Sequence, residues 1–348
     1  MSQPNRRVLV RSIDDISLEE VPAPQAGENE LLVRSTVIGV CGSDTHAALG
    51  HHPFIDLPYR PGHEVVGVVV SVGPGAEDFA VGTRVIVEPN LYCGQCPQCR
   101  SGRYNICRDL KVFGCQTPGG MADLFTIPAD RVHRVPEEMS DIRAALVEPL
   151  ATPVHAVAKA GDLSGRTVAV LGAGPIGLLV VAAARHAGAA RIVVTDLLET
   201  KRERAVRLGA TDALPADAAD LVAQAHAVLG GPADVVFDCV AREQSMSQAV
   251  DIVAKGGQIV VVGVGAPGAT PIRLDLVQDR EIRIEGTLMY TADDYRTSID
   301  LINSGAVDVE AIVTATYPLE EAREAFAASL RPEHVKVLLT ADRTVRAA

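Results

Sequence analysis

From Thr167 the chain reads as a β-branched run, a glycine-punctuated turn and an apolar helix. The residues are Thr167-Val168-Ala169-Val170-Leu171, then Gly172-Ala173-Gly174-Pro175-Ile176-Gly177, then a run to His186 closed by Gly188. The eighteen residues 167–184 carry no charge, a length that approaches a membrane span. Three glycines and a proline divide that stretch into a strand, a turn and a helix instead. The alternation continues, with strands expected at Arg191–Asp196, Ala233–Val240, Gln258–Val264 and Ile282–Gly286, and helices at Glu199–Leu208 and Gln244–Ala254. Such a rhythm predicts an α/β fold with a doubly wound parallel sheet.

The turn itself has chemistry. In Gly-x-Gly-x-x-Gly placed between a strand and a helix, Gly172 permits the tight turn, Gly174 lets a pyrophosphate approach the backbone, and Gly177 allows close helix–strand packing. Pro175 and Ile176 open the helix, whose free N–H groups and dipole favour phosphates. The next strand ends at Asp196, 19 residues beyond Gly177. A carboxylate there accepts hydrogen bonds from ribose hydroxyls and repels a 2′-phosphate, so NAD is expected over NADP. Lys201 and Arg202 leave room for NADP, and Asp196 read by itself is also a helix cap. Gly263 and Val264, ending the Gln258–Val264 strand, are counted with the same cofactor site.

With 348 residues the chain exceeds one ordinary core, so two domains are expected. The first 140 residues hold short valine-rich runs broken by Gly and Pro, at Glu30–Val40, Glu64–Val72, Gly82–Val87 and Asp123–Ile127, which reads as an antiparallel β domain. A helix at Ile142–Ala160 and a linker at Gly161–Gly165 follow, and the chain ends with helices at Asp293–Asn303 and Leu319–Ser329 and a strand at Val335–Thr340. A net charge of −12 argues against nucleic acid or an anionic membrane as partner. The start leads into no apolar segment, so a cytoplasmic location is expected.

Four of the seven cysteines, Cys93, Cys96, Cys99 and Cys107, fall within fifteen residues. Four thiolates satisfy tetrahedral zinc with no open position, which describes a structural ion. An iron–sulfur cluster is the competing use of such spacing. A second constellation is dispersed: Gly39-Val40-Cys41-Gly42-Ser43-Asp44-x-His46 and Gly62-His63-Glu64 put a thiolate, an imidazole and a carboxylate in the same β region. A lone buried Cys or His is more often structural. Here the three accompany a dinucleotide turn and a four-cysteine loop.

Together these motifs resemble the zinc-containing medium-chain dehydrogenase/reductase family over the whole chain. Val147-Glu148-Pro149-Leu150-Ala151 and Lys255-Gly256-Gly257-Gln258 add to the match. Glu64 after the His, and the Val-Glu-Pro-Leu segment, resemble the polyol branch of sorbitol, threonine and butanediol dehydrogenases. The resemblance implies a Rossmann domain at 156–289 and a mostly β, GroES-like catalytic domain formed by 1–155 and 290–348. It implies Cys41, His63 and Glu64 as catalytic zinc ligands, Glu148 as a further ligand directly or through water, and the four cysteines as structural zinc ligands. About two zinc ions per chain follow, one for each kind of site.

The implied activity is reversible oxidation of a secondary alcohol, diol or polyol to the ketone with NAD. Ser43 would take the hydroxyl proton and His46 would relay it to solvent. Ser43 is also a candidate N-cap for a helix at Thr45–Leu49, and His46 a candidate solvated loop residue. Phe54, Tyr59, Phe113 and Met289-Tyr290 are the candidate pocket residues. Polyol members commonly carry Arg-Tyr at the last pair and Tyr at Ala47, so a small diol or simple secondary alcohol is as plausible here as sorbitol. The alternatives are threonine-type amino-alcohol oxidation, a zinc-free quinone-reductase-like member, and a non-catalytic NAD- and zinc-binding regulator. The family usually pairs its sheets edge to edge, which implies a homodimer or homotetramer.

Overall fold

The computed structural model describes residues 4–265 and 267–341. The chain forms two compact units, one of residues 1–148 and 312–348 and one of residues 149–311.

The first unit is built on a sheet whose strands lie in the order Val313–Pro318, Lys336–Thr340, Glu30–Val40, Val65–Val72, Arg84–Val87, Val132–Arg134, with Leu124–Pro128 also paired to Glu30–Val40. Its core is mainly aliphatic and includes Val8, Leu31, Val33, Ile38, Val69 and Ile127, all fully buried. The named strands of the first 140 residues pair antiparallel, as expected, and the C-terminal part of the chain adds a parallel pair at one edge. Val313–Pro318 and Lys336–Thr340 pair in parallel, connected through the Ala322–Ser329 helix. Asn5–Ser12 and Asp15–Val21 form an additional antiparallel hairpin that alternation did not reveal, because arginines and glutamates interrupt it.

The second unit contains a six-stranded parallel sheet in the order Asp212–Pro215, Arg191–Asp196, Thr167–Leu171, Ala233–Asp238, Val253–Val261, Arg283–Gly286. Its central strands are buried on both faces, which is why they read as unbroken Val/Ile runs. Asp212–Pro215 and the Leu221–Leu229 helix were not expected from the sequence. Two strands stop earlier than their apolar runs. Asp238 Oδ1 accepts the N–H groups of Val240 and Ala241 at 3.0 and 2.9 Å, which turns the chain out of Ala233–Asp238. The Val262 and Gly263 amides both donate to Asp238 O, at 2.9 and 3.0 Å, which ends Val253–Val261.

The expected helix at 142–160 is two helices, Asp141–Ala144 and Val147–Ala160. Pro149 cannot donate to the carbonyl of Ala145 and its ring would crowd it, so the helix restarts with Pro149 in its first turn. The return crossing between the units lies at 311/312 rather than at 289/290. The Ala292–Asn303 helix is tied to Val147–Ala160 through His155 Nδ1 and Asp294 Oδ2 at 2.9 Å, and so stays with the parallel sheet. Among the described residues no helix is long and apolar enough to cross a membrane.

Candidate metal centres and dinucleotide site

Adjacent strand ends assemble the dispersed constellation. Cys41 follows Glu30–Val40, and His63-Glu64 lead into Val65–Val72. These strands are antiparallel neighbours: Ile38 pairs with Val65, and Gly39 N–H donates to Glu64 O at 2.8 Å. The Cys41, His63 and Glu64 donor atoms consequently lie within 4.8 Å of one another. A thiolate, an imidazole and a carboxylate at that separation suit a zinc ion with one position left for another ligand. Glu148 lies outside this mutually close set; it is buried in the first turn of Val147–Ala160, and its charge raises the pKa of Lys336.

Lys336 is a site residue that sequence reasoning missed. Its Nζ lies 2.6 and 2.8 Å from the two Glu64 oxygens, with both side chains almost fully buried. Burial alone would lower the lysine pKa, but the Glu64 carboxylate overrides it and holds it raised. The pairing follows from strand order, because Lys336–Thr340 and Val65–Val72 flank Glu30–Val40 on opposite sides. The two side chains meet over Gly39, where a Cβ would stand 1.8 Å from Glu64 Oε2. A charged residue inside the apolar run Val335–Leu339 was the available clue.

The surroundings of Cys41 and His63 are equally specified. The Gly42–Ala48 helix has Cys41 as its N-cap, so Ser43 is not the cap and the helix begins earlier than Thr45. Asp44 Oδ2 accepts the Cys41 N–H at 3.1 Å, and Asp44 Oδ1 accepts the Tyr59 hydroxyl at 3.2 Å. Ser43 Oγ lies 3.5 Å from His63 Nε2, while His46 is exposed. Burial would depress the His63 pKa, but the fields of Asp44, Cys115 and Cys41 hold it well above the ordinary value. Burial also raises the Asp44 pKa, against the pull of His63.

The four-cysteine loop is compact. Its sulfur separations run from 3.4 Å for Cys96–Cys99, through 3.5 Å for Cys93–Cys107 and 3.8 Å for Cys96–Cys107, to 4.0 Å for Cys93–Cys99. A tetrahedral ion with ~2.3 Å zinc–sulfur bonds needs edges of about 3.8 Å, so the sulfurs already have the required shape. Backbone N–H groups of Cys93, Cys96 and Asp109 point at the sulfurs at 3.3–3.4 Å. Backbone hydrogen bonding draws the Cys96 thiol down to about 6, and burial together with Cys96 pushes Cys99 up to about 12. The loop is rooted by Glu88, whose carboxylate accepts from Tyr104 at 2.7 Å and pairs with Arg131 at 3.1 Å and His133 at 2.7 Å.

The glycine turn fits a dinucleotide by what its missing side chains allow. A Cβ on Gly177 would lie 1.9 Å from Gly172 O, so the first and last glycines are fixed by packing. A Cβ on Gly174 would meet nothing within 4 Å, leaving open space where a phosphate approaches the helix at Pro175 and Ile176. Asp196 Oδ2 accepts the Ala173 N–H and Oδ1 the Leu198 N–H, each at 2.9 Å, so the acid also holds the turn. Arg202 donates to the carbonyls of Asp196 and Leu197 at 2.9 and 3.0 Å. Lys201 is half-buried in the first turn of Glu199–Arg207, Gly263 packs against Cys239, and Val264 is exposed.

The proposed pocket residues divide. Phe54 is 72% exposed, whereas Phe113, Tyr59 and Tyr290 are core residues. Phe113 packs on Phe125, the Tyr59 hydroxyl serves Asp44, and Tyr290 packs on Tyr295. Met289 adopts φ +50°, unusual for a side chain without local hydrogen bonding.

Residues 27–137 match the alcohol dehydrogenase GroES-like domain, and residues 175–304 match the zinc-binding dehydrogenase family. The sorbitol dehydrogenase of Bacillus subtilis is 32% identical over 348 residues, covering 97% of this chain and 98% of that protein. A crystal structure from Sinorhizobium meliloti 1021, assigned to the zinc-binding dehydrogenases and bound to NADP, superposes with a TM-score of 0.91 at 33% identity, covering 97% of this chain and all of that one. The 2R,3R-butanediol dehydrogenase of Bacillus subtilis superposes with a TM-score of 0.90 at 28% identity, again over 97% of this chain and all of the other.

Proposed function

This chain belongs to the zinc-containing medium-chain dehydrogenases, in their polyol branch, and from that premise we propose that it reversibly oxidises a secondary alcohol, diol or polyol to the ketone with NAD. The observation that carries the reading is the Cys41, His63 and Glu64 donor set beside the Ser43 hydroxyl. The first unit would supply the chemistry and the second the dinucleotide site. Zinc held by Cys41, His63 and Glu64 supplies Lewis acidity toward an alcohol oxygen, and the nicotinamide supplies the acceptor for the hydride.

The chain's own residues do the rest. Ser43 would accept the proton of the substrate hydroxyl as it releases its own toward the cofactor ribose, from which the exposed His46 would pass it to solvent. Lys336 holds and aims the Glu64 carboxylate, while each of its oxygens retains a lone pair for a metal. Asp44 fixes the Cys41 backbone from which the thiolate projects. Glu148 adds a second buried carboxylate near Lys336 and serves as an additional or water-mediated ligand. Cys93, Cys96, Cys99 and Cys107 hold the structural ion, giving about two zinc ions per chain. Gly172, Gly174, Pro175, Ile176 and Gly177 receive the pyrophosphate, with Asp196 on the ribose and Lys201, Gly263 and Val264 along the dinucleotide. The exposed Arg283–Gly286 edge suits pairing of two sheets in a homodimer or homotetramer.

Purified protein given NAD or NADP with 2,3-butanediol, sorbitol, 2-propanol and threonine, followed by absorbance of the reduced cofactor, tests the reading. Turnover of a diol, polyol or secondary alcohol with NAD at least tenfold above NADP is expected. In Asp196→Asn that ratio should fall about tenfold, since a hydrogen bond to a charged group is worth roughly 1.5–3 kcal/mol. Zinc-replete protein that turns over none of these alcohols would refute it.

A further inference from the structure

The strand that ends in Asp196 is fastened to the glycine turn by two bonds. The Gly172 N–H donates to Thr195 O at 2.8 Å, and the Ala173 N–H to Asp196 Oδ2 at 2.9 Å. Asp196 Oδ1 accepts the Leu198 N–H at 2.9 Å. Each carboxylate oxygen therefore spends one lone pair on the backbone and keeps another for a ribose hydroxyl. The direction of those remaining lone pairs is set by the backbone of residues 196–198. That backbone is a turn, between Arg191–Asp196 and Glu199–Arg207.

Arg202 holds the turn. Its Nη1 donates to the carbonyls of Asp196 and Leu197 at 2.9 and 3.0 Å, and Asp196 O also accepts the Ala216 N–H at 3.2 Å. An Nη nitrogen carries two hydrogens in the plane of a rigid guanidinium, one for each carbonyl. The side chain is half-buried and rises from the fourth residue of Glu199–Arg207, so it folds back over the start of its own helix. A cation near the positive end of a helix dipole gains nothing from the helix, and the two carbonyls are what favours it there. The same two bonds withdraw that nitrogen from a phosphate. By its place shortly after the acid, Arg202 reads in the sequence as a group for the 2′-phosphate of NADP. Its contacts give it a different task. We propose that Arg202 is a positioning residue for the adenosine ribose, which clamps the 196–198 turn so that Asp196 faces the hydroxyls, and not a receptor for a 2′-phosphate. The proposal rests on the reading of residues 172–177 and Asp196 as the dinucleotide site. Selectivity for NAD then depends on a cation that does not touch the cofactor.

Direct binding of NADH and NADPH, followed by the fluorescence of the reduced nicotinamide, tests it in Arg202→Met, which keeps an aliphatic stem and loses the donors. NADH should bind about tenfold more weakly, the loss expected for hydrogen bonds made by a charged group. Turnover at saturating NAD should not fall, since nothing at the zinc site has changed, whereas a damaged fold would lower it. NADPH is compared in the Asp196→Asn background, where the repulsion of the extra phosphate is gone and one oxygen still accepts. There Arg202→Met should weaken NADH and NADPH by the same factor. An NADPH loss roughly tenfold or more beyond that of NADH, the size of a charge-assisted bond to phosphate, would make Arg202 the receptor and overturn the proposal. Unchanged NADH binding in Arg202→Met would overturn it as well. Arg202→Lys should recover part of the NADH affinity, because an ammonium can reach one carbonyl, and it carries the same comparison if the methionine variant fails to fold. Wild-type protein that binds neither NADH nor NADPH would remove the dinucleotide reading itself and the proposal with it, a failure visible before any variant is made.

Discussion

The two candidate metal centres in the first unit are assembled in opposite ways. The four-cysteine loop gathers its donors from fifteen consecutive residues, with sulfurs 3.4–4.0 Å apart and short-range backbone N–H groups around them. The dispersed site draws Cys41 from one strand end, His63 and Glu64 from the next, and Lys336 from a strand 272 residues further along the chain than Glu64. A local cluster carries its own geometry and can be judged from spacing. A dispersed one inherits its geometry from sheet register, and its supports lie anywhere the sheet places them.

The sharpest way to break this comparison is to remove one thiolate from each centre. Cys41→Ser should lower turnover roughly 1,000-fold or more, since Lewis-acid assistance is worth several kcal/mol and each 1.36 kcal/mol is tenfold. Its melting temperature should stay near wild type. Cys93→Ser should leave the rate per folded molecule largely intact and lower the melting temperature, by roughly 2–4 °C for each kcal/mol lost in a unit of this size. Steady-state kinetics, calorimetry and zinc content measured together decide it. Retained activity in Cys41→Ser with equal melting losses in both would erase the distinction.

Next in size is Lys336→Met. Leaving the Glu64 carboxylate buried without its partner should cost about 3–5 kcal/mol. The double variant Lys336→Met/Glu64→Gln should be more stable than Lys336→Met, because it removes the stranded charge. Melting curves of the two singles and the double read out the coupling. Strictly additive losses would show that the pair does not act as a unit.

The distinction also accounts for what the sequence made legible. The glycine turn, Asp196 and the four cysteines act through neighbours a few residues away, and the strand–helix alternation around them reports a sheet buried on both faces. Cys41, His63 and Glu64 were readable as residue types with a family resemblance, but Cys115 and Lys336 were not. Their partners are set by the pairing of Lys336–Thr340 with Glu30–Val40 and by the contact of the 113–121 segment with residues 60–63. The same reason explains Tyr59 and Phe113, which read as pocket aromatics although tertiary packing makes them core. The Asn5–Ser12 and Val313–Pro318 strands were lost for lack of a clean period, since polar residues on partly covered strands blur the alternation.

The smallest effect separates the two centres by their glycines. At Gly39 a Cβ would stand 1.8 Å from Glu64 Oε2, a carboxylate that Lys336 holds in place from the far side. Gly39→Ala must push that carboxylate off its position, at a cost of about 1–3 kcal/mol for overpacking a filled site. It should also weaken zinc binding there, because the displaced oxygens are donors. Gly94, inside the cysteine loop, has φ +71° and nothing within 4 Å of its would-be Cβ. Gly94→Ala therefore meets only the backbone preference of an L-residue, about 1–2 kcal/mol, and should leave the loop's zinc in place. Chelator competition on the two variants, with melting curves alongside, separates steric displacement of a donor from simple backbone strain. Equal zinc losses at the two centres would mean that the dispersed site is no more dependent on its distant supports than the local one.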